Sequence, residues 1–174
     1  ACHMADAYGR ITGRPPLCII PGGPGVTNAV TAVATARINY SPVFILSDGP
    51  TTNREGTGDF QDIRGPDILG KVTKESRFVN IPSRVLDNLN YLYNIAITPL
   101  KGPVHLEIAR DVLLDTIPIP TRFNFSEISE APLCLLDLAT IELFVKLISE
   151  SQRPIILAGE EIQSELGSKL LAEL

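Results

Sequence analysis

The sequence predicts an α/β protein: a mostly parallel sheet in three layers, with helices on both faces, followed by the beginning of a second α/β domain. Three observations predict it. Leu17–Ile20, Val43–Leu46, Phe78–Ile81 and Val104–Ile108 are short apolar runs of strand length. Segments of helical pattern lie between them, and strands alternating with helices build a layered structure around a mostly parallel sheet. The first two runs are joined by the Ala-rich segment Val26–Ile38, which makes one βαβ unit, and such a crossover is right-handed in nearly every known case.

Each element has a local reason. Ala1, Met4, Ala5 and Tyr8 fall at i, i+3, i+4 and i+7, one face of a helix. Gly13 is a candidate left-handed C-terminal cap, and Pro15 and Pro16 forbid continuation. No capping residue precedes Ala1, the only methionine, Met4, sits inside this pattern, and Glu165–Leu174 also stops inside a helical pattern, so both termini are expected to be cuts in a longer chain. Pro21 to Gly25 turns the chain from the first strand into the Ala-rich helix, and Ser41-Pro42 ends that helix. Ser47 to Asp62 is a long polar segment rich in Gly and Thr, and long loops in compact domains are more often functional than not. Ile63–Lys71 reads as a short helix. Val85, Leu89, Leu92, Tyr93 and Ala96 mark an amphipathic helix with Ser83 as its cap, and Lys101-Gly102-Pro103 turns into the last strand.

Residues 1–112 form the first domain on this reading. Residues 113–136, punctuated by Pro118, Pro120 and Pro132, form a linker. Residues 137–174 open the second domain, with a helix over Leu138–Ser149, a strand over Pro154–Ala158 and a final helix.

Composition excludes several classes. A chain of 174 residues with 44% hydrophobic and 20% charged residues is ordinary globular protein, and with 6% aromatics and no Trp its core must be aliphatic. A net charge of -5 argues against a nucleic-acid partner, which needs a basic surface. No long apolar stretch and no charged-then-apolar start points to a membrane span or a signal peptide. Cys2, Cys18 and Cys134 are odd in number and far apart, which fits reduced thiols in the cytoplasm better than a disulfide framework or a zinc site.

The chemistry-bearing segments are the turn and the long loop. Gly23-Pro24-Gly25 lies between a strand and a helix, where the absence of side chains admits a ligand to the backbone. It is neither the GxGxxG fingerprint nor a P-loop with its Lys, so by itself it reads first as a tight βα turn. Asp48 stands at the end of the second strand, where a nucleotide-binding domain carries its acidic residue, but the glycine pattern before it is wrong for that class.

Longer runs carry a resemblance. Met4-Ala5-Asp6-Ala7-Tyr8-Gly9-Arg10 with Thr12-Gly13, then Gly23-Pro24-Gly25-Val26-Thr27-Asn28, Phe60-Gln61-Asp62, Thr73-Lys74, and Gly102-Pro103-Val104 with Arg110-Asp111-Val112 occur in a characteristic order and spacing. Together they resemble the pyrimidine-binding domain of thiamine-diphosphate-dependent enzymes of the acetolactate synthase type. Arg153-Pro154-Ile155-Ile156-Leu157-Ala158-Gly159 is similar to the opening of that family's central domain, so the resemblance covers essentially the whole chain.

The resemblance implies site residues. Gly23, Pro24, Gly25 and Asn28 would line the aminopyrimidine of thiamine diphosphate, and Gln61 would face its reacting end. Phe60 and Arg110 would border the substrate channel, although Phe60 is also readable as core and Arg110 as the partner of a nearby carboxylate. His3 reads as a solvated helix residue and Lys74 as structural. The family's catalytic glutamate would lie three residues before Ala1, and the diphosphate with its Mg2+ would be held by a C-terminal domain that this chain does not contain. The implied parent is a carboligase or decarboxylase of a 2-oxo acid such as pyruvate, working as a homo-oligomer, a dimer or tetramer. The alternatives are a relative acting on an acyl-CoA, a sulfonated aldehyde or a cyclic diketone, or a noncatalytic homologue. Pro21 and Gly22 replace the Thr and Ser of acetolactate synthases, Ala109 replaces a Pro, and Leu100 replaces the Arg that grips FAD, which speaks against FAD.

Overall fold

The computed structural model describes residues 1–118, 136–159, 162 and 165–174. The chain divides into two units, Ala1–Ala131 and Pro132–Leu174. Most of the expected linker, residues 119–135 with Cys134, lies outside the described residues.

In the first unit, the order is α1 (Cys2–Thr12), β1 (Leu17–Ile20), α2 (Pro24–Ile38), β2 (Phe44–Gly49), α3 (Gly65–Leu69), β3 (Glu75–Val79), α4 (Val85–Ile97), β4 (Val104–Ala109) and α5 (Arg110–Leu113). The four strands are all parallel, in the order β1-β2-β4-β3. One face is covered by a cluster that includes Ala29, Val33 and Ala36 of α2 and Leu69 of α3, the other by Leu92 and Ala96 of α4. This is the expected three-layer α/β arrangement. β4 is buried along its whole length, as a central parallel strand must be. Ile45, Leu92 and Leu106 are fully buried, each contributing about 1.5–3 kcal/mol.

Local signals hold where they are strong. Gly13 caps α1 in the left-handed region at φ 66°, and its N–H donates to the Gly9 carbonyl. β1 runs over the expected residues. Four expectations are corrected. The buried face of α1 carries Ala5, Asp6 and Gly9, whereas Met4 and Tyr8 are exposed. Small residues win that face because α1 approaches closely: a Cβ on Gly9 would stand 2.3 Å from the Pro42 carbonyl oxygen. β1, whose apolar run reads as a buried strand, is buried on one face only, with Leu17 and Ile19 exposed, because α4 covers β2, β3 and β4 on that side of the sheet. β3 starts at Glu75, ahead of the apolar run, since pairing with β4 sets its register and an edge position tolerates polar residues. Arg77 there pairs with Glu75 and lies 3.9 Å from the ring centre of Tyr91. Ser83 lies inside a 3-10 turn, Pro82–Arg84, and makes no cap for α4.

The second unit contains α6 (Leu138–Glu150) and α7 (Glu165–Glu173). Asp137 caps α6 by accepting from the Thr140 N–H at 2.7 Å. The expected strand over Pro154–Ala158 does not form, and Ile155 and Leu157 are exposed. A parallel strand needs a ladder partner, and no strand is present among the described residues of this unit. No helix among the described residues is long and apolar enough to cross a membrane.

Candidate functional site

Ligands of open α/β sheets bind beyond the carboxyl ends of the strands. Here the ends of β1, β2 and β4 deliver Gly22-Gly23, Asp48 and Arg110 to one place, and the long loop adds Gln61. Asp48 joins them. Its Oδ1 accepts from the Gly22 N–H at 2.7 Å, and its Oδ2 accepts from Arg110 Nη2 at 3.0 Å. The same Nη2 donates to Gln61 Oε1 at 3.0 Å. The ion pair is partly exposed, so its worth lies in geometry more than in net stability.

The turn is shaped for this contact. Gly23 holds φ 57°, a conformation open to glycine, and Pro24 starts α2 with its φ already helical. A Cβ on Gly23 would lie 3.1 Å from Gln61 Cα and Cβ, so only glycine lets the turn and Gln61 approach this closely. Gln61 itself sits at φ 62°, which costs a non-glycine residue about 1–3 kcal/mol and is met mainly where the surroundings enforce it.

Of the residues singled out from sequence, the structure thus brings Gly23, Gln61 and Arg110 together. Pro24, Gly25 and Asn28 lie in the first two turns of α2, with Asn28 exposed. Phe60 is 73% exposed beside Gln61, which removes the core reading. Arg110 does pair with a carboxylate, Asp48, while also reaching Gln61. His3 is exposed, and Lys74 donates to the Thr98 carbonyl at 3.0 Å.

Behind this cluster lies a polar network that the sequence reading missed. His105 and Glu107 of β4 are both buried. His105 meets Ser47 Oγ through Nε2 at 2.9 Å and Ser76 Oγ through Nδ1 at 2.7 Å. Glu107 Oε2 accepts from the Gly65 N–H at 2.9 Å, and Ser47 stands opposite Glu107 in the β2–β4 register. Burial pushes Glu107 up to about 7, with the nearby Asp48 and Glu55 carboxylates acting in the same direction. Burial pushes His105 down to about 4. The available signal was two polar residues inside a central strand, where an unpaired polar group costs too much to be incidental.

The ends of the strands thus gather a glycine turn with amide, carboxylate and guanidinium groups around it. Comparison with known proteins gives the class. Residues 1–69 match the family described as "Thiamine pyrophosphate enzyme, N-terminal TPP binding domain". The chain is 33% identical over 164 residues to a probable acetolactate synthase large subunit of Methanocaldococcus jannaschii, covering 91% of this chain and 27% of that protein. It is 33% identical over 161 residues to the acetolactate synthase large subunit of Corynebacterium glutamicum, covering 91% of this chain and 25% of that one. It is 32% identical over 163 residues to a sulfoacetaldehyde acetyltransferase of Alcaligenes xylosoxydans xylosoxydans, covering 91% and 26%. The chain belongs to the thiamine-diphosphate-dependent, acetolactate synthase-like family, of which it carries the N-terminal cofactor-binding domain. It spans about a quarter of the length of these relatives.

Proposed function

We propose that the chain is the pyrimidine-binding part of a longer thiamine-diphosphate enzyme that makes or breaks a carbon–carbon bond beside the carbonyl of a 2-oxo acid such as pyruvate. The observation that carries this reading is the convergence of the Gly22-Gly23 turn, Asp48, Gln61 and Arg110 at the strand ends. An aminopyrimidine offers ring nitrogens and an exocyclic amine along one edge. The exposed Pro24 at the start of α2 and the exposed amide of Asn28 one turn on fit such an edge. When bound, the cofactor supplies the carbanion chemistry, and the protein supplies binding and orientation. On this reading Asn28 holds the ring, Gln61 faces the reacting end, and Arg110, tethered by Asp48, borders the substrate channel with Phe60. On the same reading the Mg2+ and diphosphate would be held by a C-terminal domain of a partner subunit in a cytoplasmic homo-oligomer.

The test uses the longer enzyme. Asn28→Ala is expected to weaken thiamine diphosphate binding about three- to tenfold, the cost of about one hydrogen bond, with kcat near wild type at saturating cofactor. Gln61→Ala is expected to lower kcat by a similar factor or more at unchanged cofactor affinity. Wild-type cofactor titration and turnover in both variants would remove the assignment. Because a sulfoacetaldehyde acetyltransferase matches as well as the acetolactate synthases do, sulfoacetaldehyde is the second substrate to assay beside pyruvate.

A further expectation concerns flavin. Leu100 takes the place of the family's FAD-gripping Arg, and the neighbouring Lys101 turns its ammonium towards the Gly13 carbonyl at 3.4 Å. Loss of a charge-assisted contact costs about 1.5–3 kcal/mol, a ten- to hundredfold weaker affinity. The purified enzyme is therefore expected to be colourless, with activity indifferent to added FAD. A yellow preparation that loses activity when stripped of flavin overturns this.

A further inference from the structure

The 50–64 loop begins after Gly49 and ends at Gly65, and one buried carboxyl sits between those two glycines. A Cβ on Gly49 would lie 3.0 Å from Glu107 Oε1, and one on Gly65 would lie 2.0 Å from Glu107 Oε2. The Gly65 N–H donates to that same Oε2 at 2.9 Å. Glu107 is 2% exposed, so it has no room to withdraw. Inside the loop, Asp62 accepts from the Gly56 and Gly58 N–H groups, and Asp111 accepts from Thr52. Those contacts shape its span, and Glu107 lies against both ends, with Phe78 beside Gly49 and His105 beside Gly65.

We propose that Glu107 is the positioning residue of the 50–64 loop: its carboxyl, seated between Gly49 and Gly65, fixes both ends of the segment that presents Phe60 and Gln61 to the site. The functional weight of this rests on the reading of Gln61 as reaction-facing. The mechanical part stands by itself. With both ends held, the loop has one way to approach the Gly23 turn, and Gln61 is pressed into its left-handed conformation against Gly23 and Arg110.

Ser76, His105 and Ser47 are hydrogen-bonded in series across β3, β4 and β2, and Ser47 stands opposite Glu107 in the β2–β4 register. The charged and titratable groups facing Glu107 are Asp48 at the end of β2, Glu55 in the loop and His105 on its own strand.

The experiment is amide hydrogen exchange of the full chain as wild type, Glu107→Leu and Glu107→Gln. Leucine keeps the bulk and removes the acceptor; glutamine keeps the acceptor. In Glu107→Leu the amides of residues 51–64 are expected to exchange at least tenfold faster while those of β1 and α2 stay at wild type. In Glu107→Gln the loop is expected to keep wild-type protection. Unchanged loop protection in the Leu variant, equal loosening of β1 and α2, or a Gln variant as loose as the Leu variant each overturns the proposal. Should Glu107→Leu fail to fold, Glu107→Asp, which withdraws the carboxyl by one methylene, is read by the same criteria. None of these readouts needs turnover, so failure of the enzyme reading leaves them standing, and their failure leaves the cofactor reading standing.

Discussion

Gly22→Ala is expected to destabilise the first unit by about 3 kcal/mol, the upper end of the cost of forcing an atom into a packed site. A Cβ at position 22 would stand 2.2 Å from the Asp48 backbone carbonyl oxygen and 3.2 Å from its carbonyl carbon. That neighbour is backbone at the end of a central strand, with no flexible side chain to swing aside. The move would also pull the Gly22 N–H away from Asp48 Oδ1, loosening the carboxylate that tethers Arg110. Gly56→Ala is the matched control: nothing lies within 4 Å of its Cβ, but its φ is 76°. It is expected to cost only the left-handed backbone penalty, about 1–2 kcal/mol. Urea denaturation of both variants decides between them. Equal costs would show that the close approach of turn and strand does not constrain position 22.

Glu107→Gln is expected to stabilise the protein by up to about 3 kcal/mol at pH 8 and to change it little below pH 5. The folded state raises Glu107 from its ordinary value to about 7, so the fold prefers the neutral carboxyl. The stability that this protonated form contributes is complete below the ordinary glutamate range and is lost as pH rises through about 7. His105 acts in the opposite sense. Its value falls to about 4, so the fold prefers neutral imidazole; that contribution is present above the ordinary histidine range and is lost as pH falls through about 4. Between about pH 4.5 and 6.5 the two slopes oppose each other, and wild-type stability is expected to be nearly flat from this pair. Glu107→Gln unmasks the histidine slope, so the variant's stability is expected to rise across that window. Urea midpoints from pH 4 to 9 read this directly. A variant whose midpoint tracks wild type at every pH would show that Glu107 does not titrate with folding.

Much of the fold was legible in local patterns. The span of β1, the left-handed cap at Gly13 and the parallel α/β layering follow from short-range signals, and the structure shows all three. The resemblance pointed to Gln61 and Arg110, which the structure joins through one hydrogen bond. Other features were illegible for definite reasons. The apolar stripe of α1 suggested Met4 and Tyr8 as its inner face, but the close approach to Pro42 favours Ala5, Asp6 and Gly9. Asp48 was visible only as a residue of the wrong nucleotide-binding class. Its partners Gly22 and Arg110 are remote in sequence, so no local pattern could assign it. Pro154–Ala158 has the composition of a strand, but composition supplies no pairing partner.

The places of the main strands and helices, the Gly23-Pro24-Gly25 turn and the family motifs are written in neighbouring residues: periodicity, glycine and proline chemistry, and the order of short motifs. That Asp48 binds the turn and Arg110 at once, that Gln61 packs against Gly23, and that Glu107 lies beneath both ends of the loop emerges with the assembled sheet. Strand order and register made those decisions. Placing β4 between β2 and β3 sets Glu107 opposite Ser47 and Phe78, and carries Arg110 to the same end of the sheet as Asp48. Hydrogen bonds and steric contacts act over a few ångströms of space whatever the separation along the chain, so the contacts that make this site exist only once the sheet has assembled.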